Sequence, residues 1–480
     1  MERLHRRTKI VATLGPATDD PERLTRMVQG GLDVARINFS HGNRDDQRAR
    51  VKRLREVAER CGREVGVMGD LQGPKIRIRR FRDGRVVLKE GDRFFLDSAL
   101  GGGEGTQEGV GVAYENLHRD VKSGDVLLLD DGQITLAVDE VAGTRIHTTV
   151  TTGGPLSDNK GINRQGGGLS APALTEKDCE DIRLAAELEM DFLAVSFVRS
   201  AEDVHRARQL LREAGGYGLI VAKIERAEAV QNIEEIIDAA DVIMVARGDL
   251  GVEVGYAELT GLQKQIIRRT RRRNKVAITA TQMMESMITH SMPTRAEVSD
   301  VANAVMDGTD AVMLSAETAV GEYPIAVISA VSEICKGAEK YSLQLGRTSH
   351  RLDDRFQAVD EAIAMAVMYT ANHLPVKAII ALTESGNTTL WMSRIRSDIP
   401  IYAFTPHVST RRRVTLYRGV TPVPFRMEHD DMQQLYQDIF TTLLSRNLVD
   451  VGDRVIFTKG DMEGVSGGTN AMKIVSVTAP

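Results

Sequence analysis

Three charged residues near the middle of the chain have the types and spacing of a divalent-metal active site. Lys223 and Glu225 are separated by one residue, and Asp249 follows them in an Arg-Gly-Asp sequence. Because residues i and i+2 of a β-strand point to the same side, we expect the Lys223 and Glu225 side chains to face together. Two carboxylates from neighbouring strands can hold one hard cation, and Mg²⁺ prefers few carboxylates together with waters and substrate oxygens. A lysine beside such a cation suits a phosphoryl group, which carries negative charge during transfer.

Eight short apolar segments could supply the strand ends that bring these residues together. Their brevity and β-branched content favour buried parallel strands over helices. The segments are Lys9–Gly15, Val34–Ser40, Val65–Asp70, Phe192–Phe197, Leu219–Glu225, Val242–Asp249, Val276–Thr281 and Ala311–Glu317. Helical stretches lie between most of them, which predicts an α/β fold built on a (β/α)8 TIM barrel. A doubly wound open sheet is the competing fold, and the count of eight favours the barrel.

The carboxyl ends of these segments carry polar residues that would meet at one mouth of the barrel. The set comprises Arg36, Asn38, Ser40, Asp70, Ser196, Lys223, Glu225, Arg247, Asp249, Thr281, Ser315 and Glu317. Any one of them has an ordinary alternative as a solvated rim residue or a structural ion pair. Burying so many polar groups together is costly unless ligands satisfy them, so we interpret the set as a binding site.

The interval between the third and fourth segments is too long for a single connecting helix. Only Thr175–Met190 has the pattern of that helix, and the preceding residues are rich in glycine, aspartate and alternating strands. An insertion at the carboxyl end of a barrel strand lies over the mouth, so we predict an inserted β-barrel lid domain. The predicted domains are residues 1–72 with 170–345 for the barrel, 73–169 for the lid and 346–480 for a C-terminal α/β domain.

The composition limits the class of protein and its partners. Hydrophobic residues make up 42% of the chain, charged residues 27%, and the formal net charge is −5. These values are typical of a globular protein and favour neither nucleic acid nor anionic membrane as a partner. No apolar run approaches a membrane span, and the three cysteines lack metal-ligand spacing. We therefore expect a cytoplasmic location.

Six stretches of the sequence resemble the pyruvate kinase family. They are VARINFSHG at 34–42, DLQGPKIR at 70–77, VAKIE at 221–225, VIMVARGDLG at 242–251, ITATQMMESM at 278–287 and MLSAET at 313–318. The resemblance spans all three domains in order, and the ATQM stretch at 280–283 is very specific. It implies transfer of the phosphoryl group of phosphoenolpyruvate to ADP, which gives pyruvate and ATP.

The resemblance also implies roles for individual residues. Glu225 and Asp249 would hold Mg²⁺ or Mn²⁺, and Lys223 would stabilise the phosphoryl group in the transition state. Thr281 lies near the site where family members protonate the enolate, with Ser315 and Glu317 as relay candidates. The implied substrate contacts are Arg36, Lys223, Gly248, Asp249 and Thr281, with catalytic roles for Lys223, Thr281 and Arg36. The implied nucleotide contacts are Asn38, Ser40, His41, Arg77 and Lys160.

One position departs from the pattern of many family members. Those members bind K⁺ at positions equivalent to Asn38, Ser40, Asp70 and the carbonyl of Leu71, and they usually have glutamate where this chain has Lys75. An ammonium group can stand in for K⁺, so we expect Lys75 to lie beside that site. We therefore predict that activity is independent, or nearly independent, of K⁺.

The C-terminal domain contains a hydroxyl-rich stretch, TESGNTT at 383–389, between a predicted strand and a predicted helix. Hydroxyls and amides at a helix N-terminus can bind an anion, although a simple helix cap is the alternative. The family resemblance favours an effector-phosphate site, with Thr383, Ser385, Gly386, Asn387 and Thr388 as its residues. The effector is left open among a sugar monophosphate, fructose 1,6-bisphosphate and AMP. The family also implies a homotetramer.

Two other functions are compatible with a metal site on a barrel. A metal-dependent lyase or aldolase of the phosphoenolpyruvate/pyruvate type would share the Glu225 and Asp249 pair, but such barrels lack this lid with Arg77 and Lys160. A non-catalytic metabolite sensor would retain the C-terminal domain. The intact Lys223 and its neighbouring carboxylates argue against the sensor.

Overall fold

The first part of the barrel consists of alternating strands and helices. In a computed structural model, which describes residues 6–344, 355–426, 431–460 and 467–479, they begin at Lys9. The elements are β1 (Lys9–Thr13), α1 (Pro21–Gly30), β2 (Val34–Asn38), α2 (Arg44–Arg60) and β3 (Gly66–Asp70). The Asp20 carboxylate accepts a hydrogen bond from the amide of Arg23, and Pro21 is the first residue of α1, so the helix start is capped.

The inserted lid follows β3 and is made almost entirely of strands. Its elements are β4 (Arg85–Leu88), β5 (Arg93–Asp97), β6 (Gly109–Gly111), the single turn α3 (Leu117–Asp120), β7 (Val126–Leu129), β8 (Ile134–Ala142), β9 (Arg145–Thr152), β10 (Gly154–Ser157) and β11 (Ile162–Arg164). Six strands pair in the order β11-β7-β8-β9-β5-β6, and β10 pairs separately with β4. Isolated bridges such as Arg77 with Gly161 link the remaining chain, so the lid is not one continuous closed sheet.

The second part of the barrel resumes after the lid. It contains α4 (Glu176–Glu187), β12 (Phe192–Val195), α5 (Ala201–Glu213), β13 (Leu219–Ile224), α6 (Ala227–Gln231), α7 (Ile233–Ala239), β14 (Val242–Ala246), α8 (Arg247–Val254), α9 (Tyr256–Arg272), β15 (Val276–Ala280), α10 (Arg295–Asp307), β16 (Ala311–Leu314), α11 (Ala316–Ala319) and α12 (Pro324–Gln344). Short 3₁₀ helices lie at Pro16–Thr18 and Glu285–Ile288.

The eight predicted strands close into one parallel barrel, in the order β1-β16-β15-β14-β13-β12-β3-β2. The prediction of a (β/α)8 barrel is confirmed, because β1 pairs with both β16 and β2. The strands are shorter than the apolar segments suggested. Asp249 and Glu317, which were expected in strands, lie in the first turns of α8 and α11. The helix α8 starts directly after β14, and α11 starts one residue after β16.

The C-terminal α/β domain is confirmed. It contains α13 (Val359–His373), β17 (Ala378–Leu382), α14 (Asn387–Ser393), β18 (Ile401–Thr405), α15 (Val408–Val414), β19 (Val420–Pro424), α16 (Met432–Ser445), β20 (Arg454–Gly460) and β21 (Thr469–Ser476). Its sheet has the order β19-β18-β17-β20-β21, with β21 antiparallel to β20. The predicted boundary between residues 345 and 346 lies outside the described residues, and the exact domain limits stay predictions.

Buried polar contacts join this domain to the barrel. The Arg394 guanidinium pairs with the Asp310 carboxylate, and both side chains are 1% exposed. The Lys9 ammonium donates to the carbonyl of Val420 at 2.6 Å. Among the helices of the described residues, none is both long and apolar enough to cross a membrane.

Candidate active site

The ammonium group of Lys223 lies at the centre of the polar mouth. It contacts Glu225 Oε1 at 2.9 Å and Asp70 Oδ1 at 3.2 Å, and it donates to Ser196 Oγ at 2.6 Å. Burial lowers the pKa of Lys223, but the charges of Asp70 and Glu225 outweigh it and hold the pKa above its ordinary value. Lys223 therefore stays positively charged although its residue is only 9% exposed.

The two predicted metal carboxylates come from adjacent strands, as expected. Glu225 directly follows β13, and Asp249 is the third residue of α8, which follows β14. Glu225 Oε2 accepts the amide of Phe197 at 2.7 Å. Burial raises the pKa of Glu225, the Lys223 charge lowers it, and the Asp249 charge raises it again, with a net rise. Two carboxylates that repel each other favour a shared cation.

The donor set fits a hard divalent ion. Glu225 and Asp249 offer carboxylate oxygens and no nitrogen or sulfur, which suits Mg²⁺ held mostly by waters and substrate. Within the described ranges, no cluster of three or more His, Cys, Asp or Glu residues could hold a metal alone. The metal role of Glu225 and Asp249 stays a prediction.

Asp70 and Arg36 form a buried pair beside Lys223. Arg36 Nε contacts Asp70 Oδ2 at 2.6 Å, and another guanidinium nitrogen donates to Thr13 Oγ1 at 2.9 Å. Burial raises the pKa of Asp70, but the Arg36 and Lys223 charges lower it by more. The pKa of Asp70 therefore lies below its ordinary value. Asp70 thus holds two cations that both face the mouth.

Lys75 contacts two carboxylates. Its ammonium lies 3.0 Å from Asp249 Oδ1 and 3.7 Å from Asp131 Oδ1 of the lid. The cations that contact Asp70 are Arg36 and Lys223. The expectation that Lys75 lies beside Asn38, Ser40, Asp70 and Leu71 stays a prediction.

Two of the expected K⁺ ligands accept hydrogen bonds from other residues of the protein. Asn38 Oδ1 accepts the amide of Ser40 at 3.0 Å. The Leu71 carbonyl accepts the hydroxyl of Ser196 at 2.8 Å. Ser40 and His41 are exposed at the rim, on the turn that follows β2. Their roles in binding K⁺ or a nucleotide stay predictions.

Thr281 sits at the end of β15, directly opposite the start of α8. Its hydroxyl accepts the amide of Gly248 at 2.8 Å and donates to the carbonyl of Ala280 at 2.6 Å. The backbone of Thr281 has a φ of 68°, which is unusual for a β-branched residue. The structure thus joins three predicted substrate-contact residues, Gly248, Asp249 and Thr281.

The relay candidates Ser315 and Glu317 make backbone contacts. Glu317 Oε1 accepts the amide of Met284 at 3.1 Å, and Oε2 accepts the amide of Ser315 at 2.6 Å. Glu317 is 2% exposed. Its carboxylate therefore holds the turn after β16 against the 3₁₀ segment after β15.

The two predicted nucleotide residues of the lid lie close together. Arg77 pairs across a bridge with Gly161, the neighbour of Lys160, and the amide of Ile78 donates to the Lys160 carbonyl at 2.9 Å. Arg77 donates to the carbonyl of Asn159 at 2.9 Å, and Lys160 contacts Asp130 Oδ1 at 2.7 Å. The lid backbone therefore brings Arg77 and Lys160 near each other, and their nucleotide contacts stay a prediction.

The predicted effector stretch forms a compact loop before α14. The amide of Gly386 donates to Thr383 Oγ1 at 2.9 Å, and Thr388 Oγ1 lies 2.7 Å from Thr469 Oγ1 of β21. Asn387 is exposed and Ser385 is half-buried. The Thr383 hydroxyl thus binds within the loop and the Thr388 hydroxyl ties the loop to β21, while Asn387 is exposed. The effector role of the loop stays a prediction.

Several residues that shape the mouth were given no role from the sequence alone. Ser196 was in the strand-end set but had no role, although it joins Lys223 to the Leu71 carbonyl. The amide of Phe197 donates to Glu225, and Phe197 has a φ of 55°. No sequence pattern predicts this left-handed conformation for a phenylalanine. Arg226 donates to the carbonyl of Leu169 at 2.6 Å, which fastens the end of the lid to the barrel.

Comparisons with known proteins agree with this architecture. A family model described as "Pyruvate kinase, barrel domain" matches residues 5–328, and one described as "Pyruvate kinase, alpha/beta domain" matches residues 361–475. Pyruvate kinase II of Salmonella typhimurium is 55% identical over 99% of this chain and 100% of its own length. Pyruvate kinases of Haemophilus influenzae and Corynebacterium glutamicum are 52% and 42% identical, each over at least 96% of both chains.

Proposed function

The chain belongs to the pyruvate kinase family, and on this premise we propose that Lys223, Glu225 and Asp249 form its catalytic centre. It is a phosphotransferase that moves the phosphoryl group of phosphoenolpyruvate to ADP in the last step of glycolysis. Family membership over the whole chain removes the lyase or aldolase alternative. The roles of individual residues below are our proposal.

Glu225 and Asp249 would hold the Mg²⁺ ion, for which Mn²⁺ can substitute. When bound, the ion neutralises charge on the carboxylate and phosphate oxygens of the substrate. The protein's own task is to hold the buried carboxylate of Glu225 and the half-buried carboxylate of Asp249 at the same mouth. The Lys223 ammonium at 2.9 Å and the Phe197 amide at 2.7 Å hold the Glu225 carboxylate in place and favour its ionised form.

Lys223 and Arg36 supply fixed positive charge for the transferring group. Both cations are held by Asp70, so neither has to reorganise when negative charge develops on the phosphoryl oxygens. Thr281 and Gly248 lie on the adjacent side of the mouth, where we place substrate contacts and the delivery of a proton to the enolate carbon. Asn38, Ser40 and His41 on the barrel, with Arg77 and Lys160 on the lid, would bind the nucleotide.

The proposal extends to regulation and assembly. The loop at residues 383–388 would bind the phosphate of an activating metabolite, supported by its place before α14 and by the exposed Asn387. The family resemblance supports a homotetramer in the cytoplasm. A K⁺ site at Asn38, Ser40, Asp70 and Leu71 is implied by resemblance, and we propose that the enzyme does not require it.

The observation that carries the proposal is the contact of one buried lysine with Glu225 and Asp70 at the barrel mouth, beside Asp249. The decisive measurement is pyruvate formation from phosphoenolpyruvate with Mg²⁺, with and without ADP. We expect turnover only when ADP is present. Turnover without ADP would indicate a lyase, and no turnover under any condition would indicate a sensor.

The effector is tested by the substrate saturation curve. A sugar monophosphate, fructose 1,6-bisphosphate and AMP are added separately while phosphoenolpyruvate is varied. We expect one of them to lower the half-saturating concentration, and Ser385→Ala to weaken that response. No response to any of the three compounds would remove the regulatory proposal.

A further inference from the structure

The guanidinium of Arg247 binds the end of the neighbouring strand β15. Its Nε donates to the carbonyl of Ala280 at 3.1 Å, and one terminal nitrogen donates to the carbonyl of Thr281 at 2.6 Å. The other terminal nitrogen contacts both carboxylate oxygens of Asp300 on α10 at 2.7 Å. Arg247 is 8% exposed, so these contacts take up its side chain within the protein.

The strand end that Arg247 binds has an unfavourable backbone. Thr281 has a φ of 68° and the next residue, Gln282, has a φ of 52°. Two successive left-handed residues without glycine are rare, and a β-branched residue is least suited to this conformation. Such a conformation persists only where the surroundings hold it in place. Arg247 bonds the carbonyls on both sides of the Thr281 Cα, so it is placed to hold this turn.

The turn determines where the Thr281 hydroxyl points. That hydroxyl accepts the amide of Gly248, the residue after Arg247, at 2.8 Å. Thr281 is therefore bound from two sides. The side chain of Arg247 binds the carbonyls of Ala280 and Thr281, and the backbone amide of Gly248 binds the Thr281 hydroxyl. If the turn relaxed toward a common conformation, the hydroxyl would leave the start of α8.

Asp300 fixes the other side of the guanidinium. The three guanidinium nitrogens thus have different partners: Nε has Ala280, one terminal nitrogen has Thr281 and the other has Asp300. This orients the planar group, and the ammonium of a lysine could not reproduce the arrangement. The Asp300 side chain is 36% exposed, whereas the Arg247 side chain is 10% exposed. The carboxylate thus closes the outer side of the contact, and the two carbonyls lie on its inner side.

Resting on the proposed function, we propose that Arg247 is a positioning residue for the protonation step. It does not touch the substrate. It holds the left-handed Thr281 turn so that the Thr281 hydroxyl lies where a proton reaches the enolate of pyruvate. In that step a C–H bond forms at the methylene carbon, an O–H bond of the donor breaks, and the donor regains its proton from water.

The test separates protonation from phosphoryl transfer. Deuterium exchange into the methyl group of pyruvate, measured in D₂O with Mg²⁺, uses only the proton step. We expect Arg247→Gln and Arg247→Lys to lower this exchange and kcat at least tenfold, while the KM for phosphoenolpyruvate changes less than threefold. A large rise in KM with unchanged exchange would overturn the proposal.

A double-mutant cycle tests whether Arg247 acts through Thr281. If it does, Arg247→Gln causes little further loss of exchange in a Thr281→Ala background. If the two losses multiply instead, the residues act independently and the proposal is wrong. Asp300→Asn keeps both carbonyl contacts and should give an intermediate loss. It remains a usable test if Arg247→Gln does not fold, and full exchange activity in Asp300→Asn would then count against the proposal.

Arg208→Gln is a matched control, because it removes another arginine–aspartate pair, with Asp241 at 2.8 Å, from the barrel. Its exchange rate should stay within twofold of wild type. An equal loss in this control would show a general effect of breaking an ion pair and overturn the proposal. Wild-type enzyme that makes no pyruvate from phosphoenolpyruvate and ADP would instead remove the proposed function, whatever the variants do.

Discussion

Lys75 Nζ lies 3.0 Å from Asp249 Oδ1, so the first segment of the lid contacts a carboxylate that we assign to the metal. Asp131 Oδ1 of the lid lies 3.7 Å from the same ammonium group. Burial lowers the pKa of Lys75, but Asp249 and Asp131 raise it above its ordinary value. The lysine therefore brings a permanent positive charge to the metal side of the mouth.

The first prediction concerns K⁺. Wild-type activity should be nearly the same with and without K⁺ in buffer that also lacks Na⁺, since Lys75 already supplies a fixed monovalent cation. Lys75→Glu places a negative charge beside Asp249 and should make turnover depend on K⁺. Lys75→Gln is the control for loss of the ammonium without a new negative charge. A wild-type enzyme that loses orders of magnitude of activity without K⁺ contradicts the idea.

The second prediction concerns Lys223. Lys223→Met should lower kcat by about a hundredfold or more, because a preorganised charge for the transition state is lost. The KM for phosphoenolpyruvate should change only a few fold, since the lysine acts mainly on the transferring group. Steady-state kinetics at saturating ADP measures both. Similar kcat values in variant and wild type would refute the role assigned to Lys223.

The third prediction concerns the buried carboxylate of Asp70. Asp70→Asn leaves the Arg36 and Lys223 cations without their shared counter-charge, and should lower the free energy of unfolding by about 3 kcal/mol or more. Asp19→Asn weakens a more solvent-accessible cluster, in which Asp19 pairs with Arg50 and Arg53, and should cost less, about 1 kcal/mol. Denaturant titration of the two variants measures the difference. If both variants lose the same free energy of unfolding, the buried Asp70 cluster does not stabilise the fold more than the Asp19 cluster does.

The fourth prediction concerns pH and Glu253, a 3% exposed residue on α8. Burial raises its pKa to about 7, although the Ala227 amide and the Arg226 charge lower it. The folded protein thus binds this proton more tightly than the unfolded chain, so stability falls as pH rises from about 4.5 through about 7.

A carboxyl whose pKa rises from 4.5 to about 7 weakens folding by about 3 kcal/mol once it is ionised. Glu253→Gln lacks that ionisation. The melting temperature of Glu253→Gln minus that of the wild type should therefore increase from pH 5 to pH 8. A difference that stays constant over this range would exclude Glu253 as the titrating group.

The fifth prediction concerns the segment that joins the lid to the barrel. Gly167 has a φ of 81°, and a Cβ there would approach Glu228 Oε2 to 2.6 Å. Glu228 Oε1 accepts the amide of Gly168, so the carboxylate cannot move away without losing that bond. Gly167→Ala should raise the KM for ADP several fold by disturbing the lid.

Gly166 offers a matched control for this segment. It has a φ of 79°, and a Cβ there meets no atom within 4 Å. Gly166→Ala thus carries the backbone strain without the clash, and its KM for ADP should stay closer to wild type. If both alanine variants change the KM equally, backbone strain alone is responsible and the Glu228 contact is not.

Local patterns predicted the barrel well because they depend on neighbouring residues. A strand buried on both sides needs an apolar run wherever it lies, so all eight segments could be recognised. β19 was not predicted, because Pro422 and Pro424 interrupt the pattern of a strand. Its place at the edge of the C-terminal sheet explains how those prolines are tolerated.

The sequence by itself determined that Lys223 and Glu225 face together, since two residues apart on one strand share a side whatever the fold. It also indicated which strand ends carry polar residues. Only the tertiary structure decided the partners across the mouth: Asp70 with Arg36 and Lys223, Asp249 with Lys75, and Arg247 with the Thr281 turn. The physical reason is that these pairs lie far apart in the chain, and their distances follow from barrel closure, lid position and left-handed turns that no local pattern encodes.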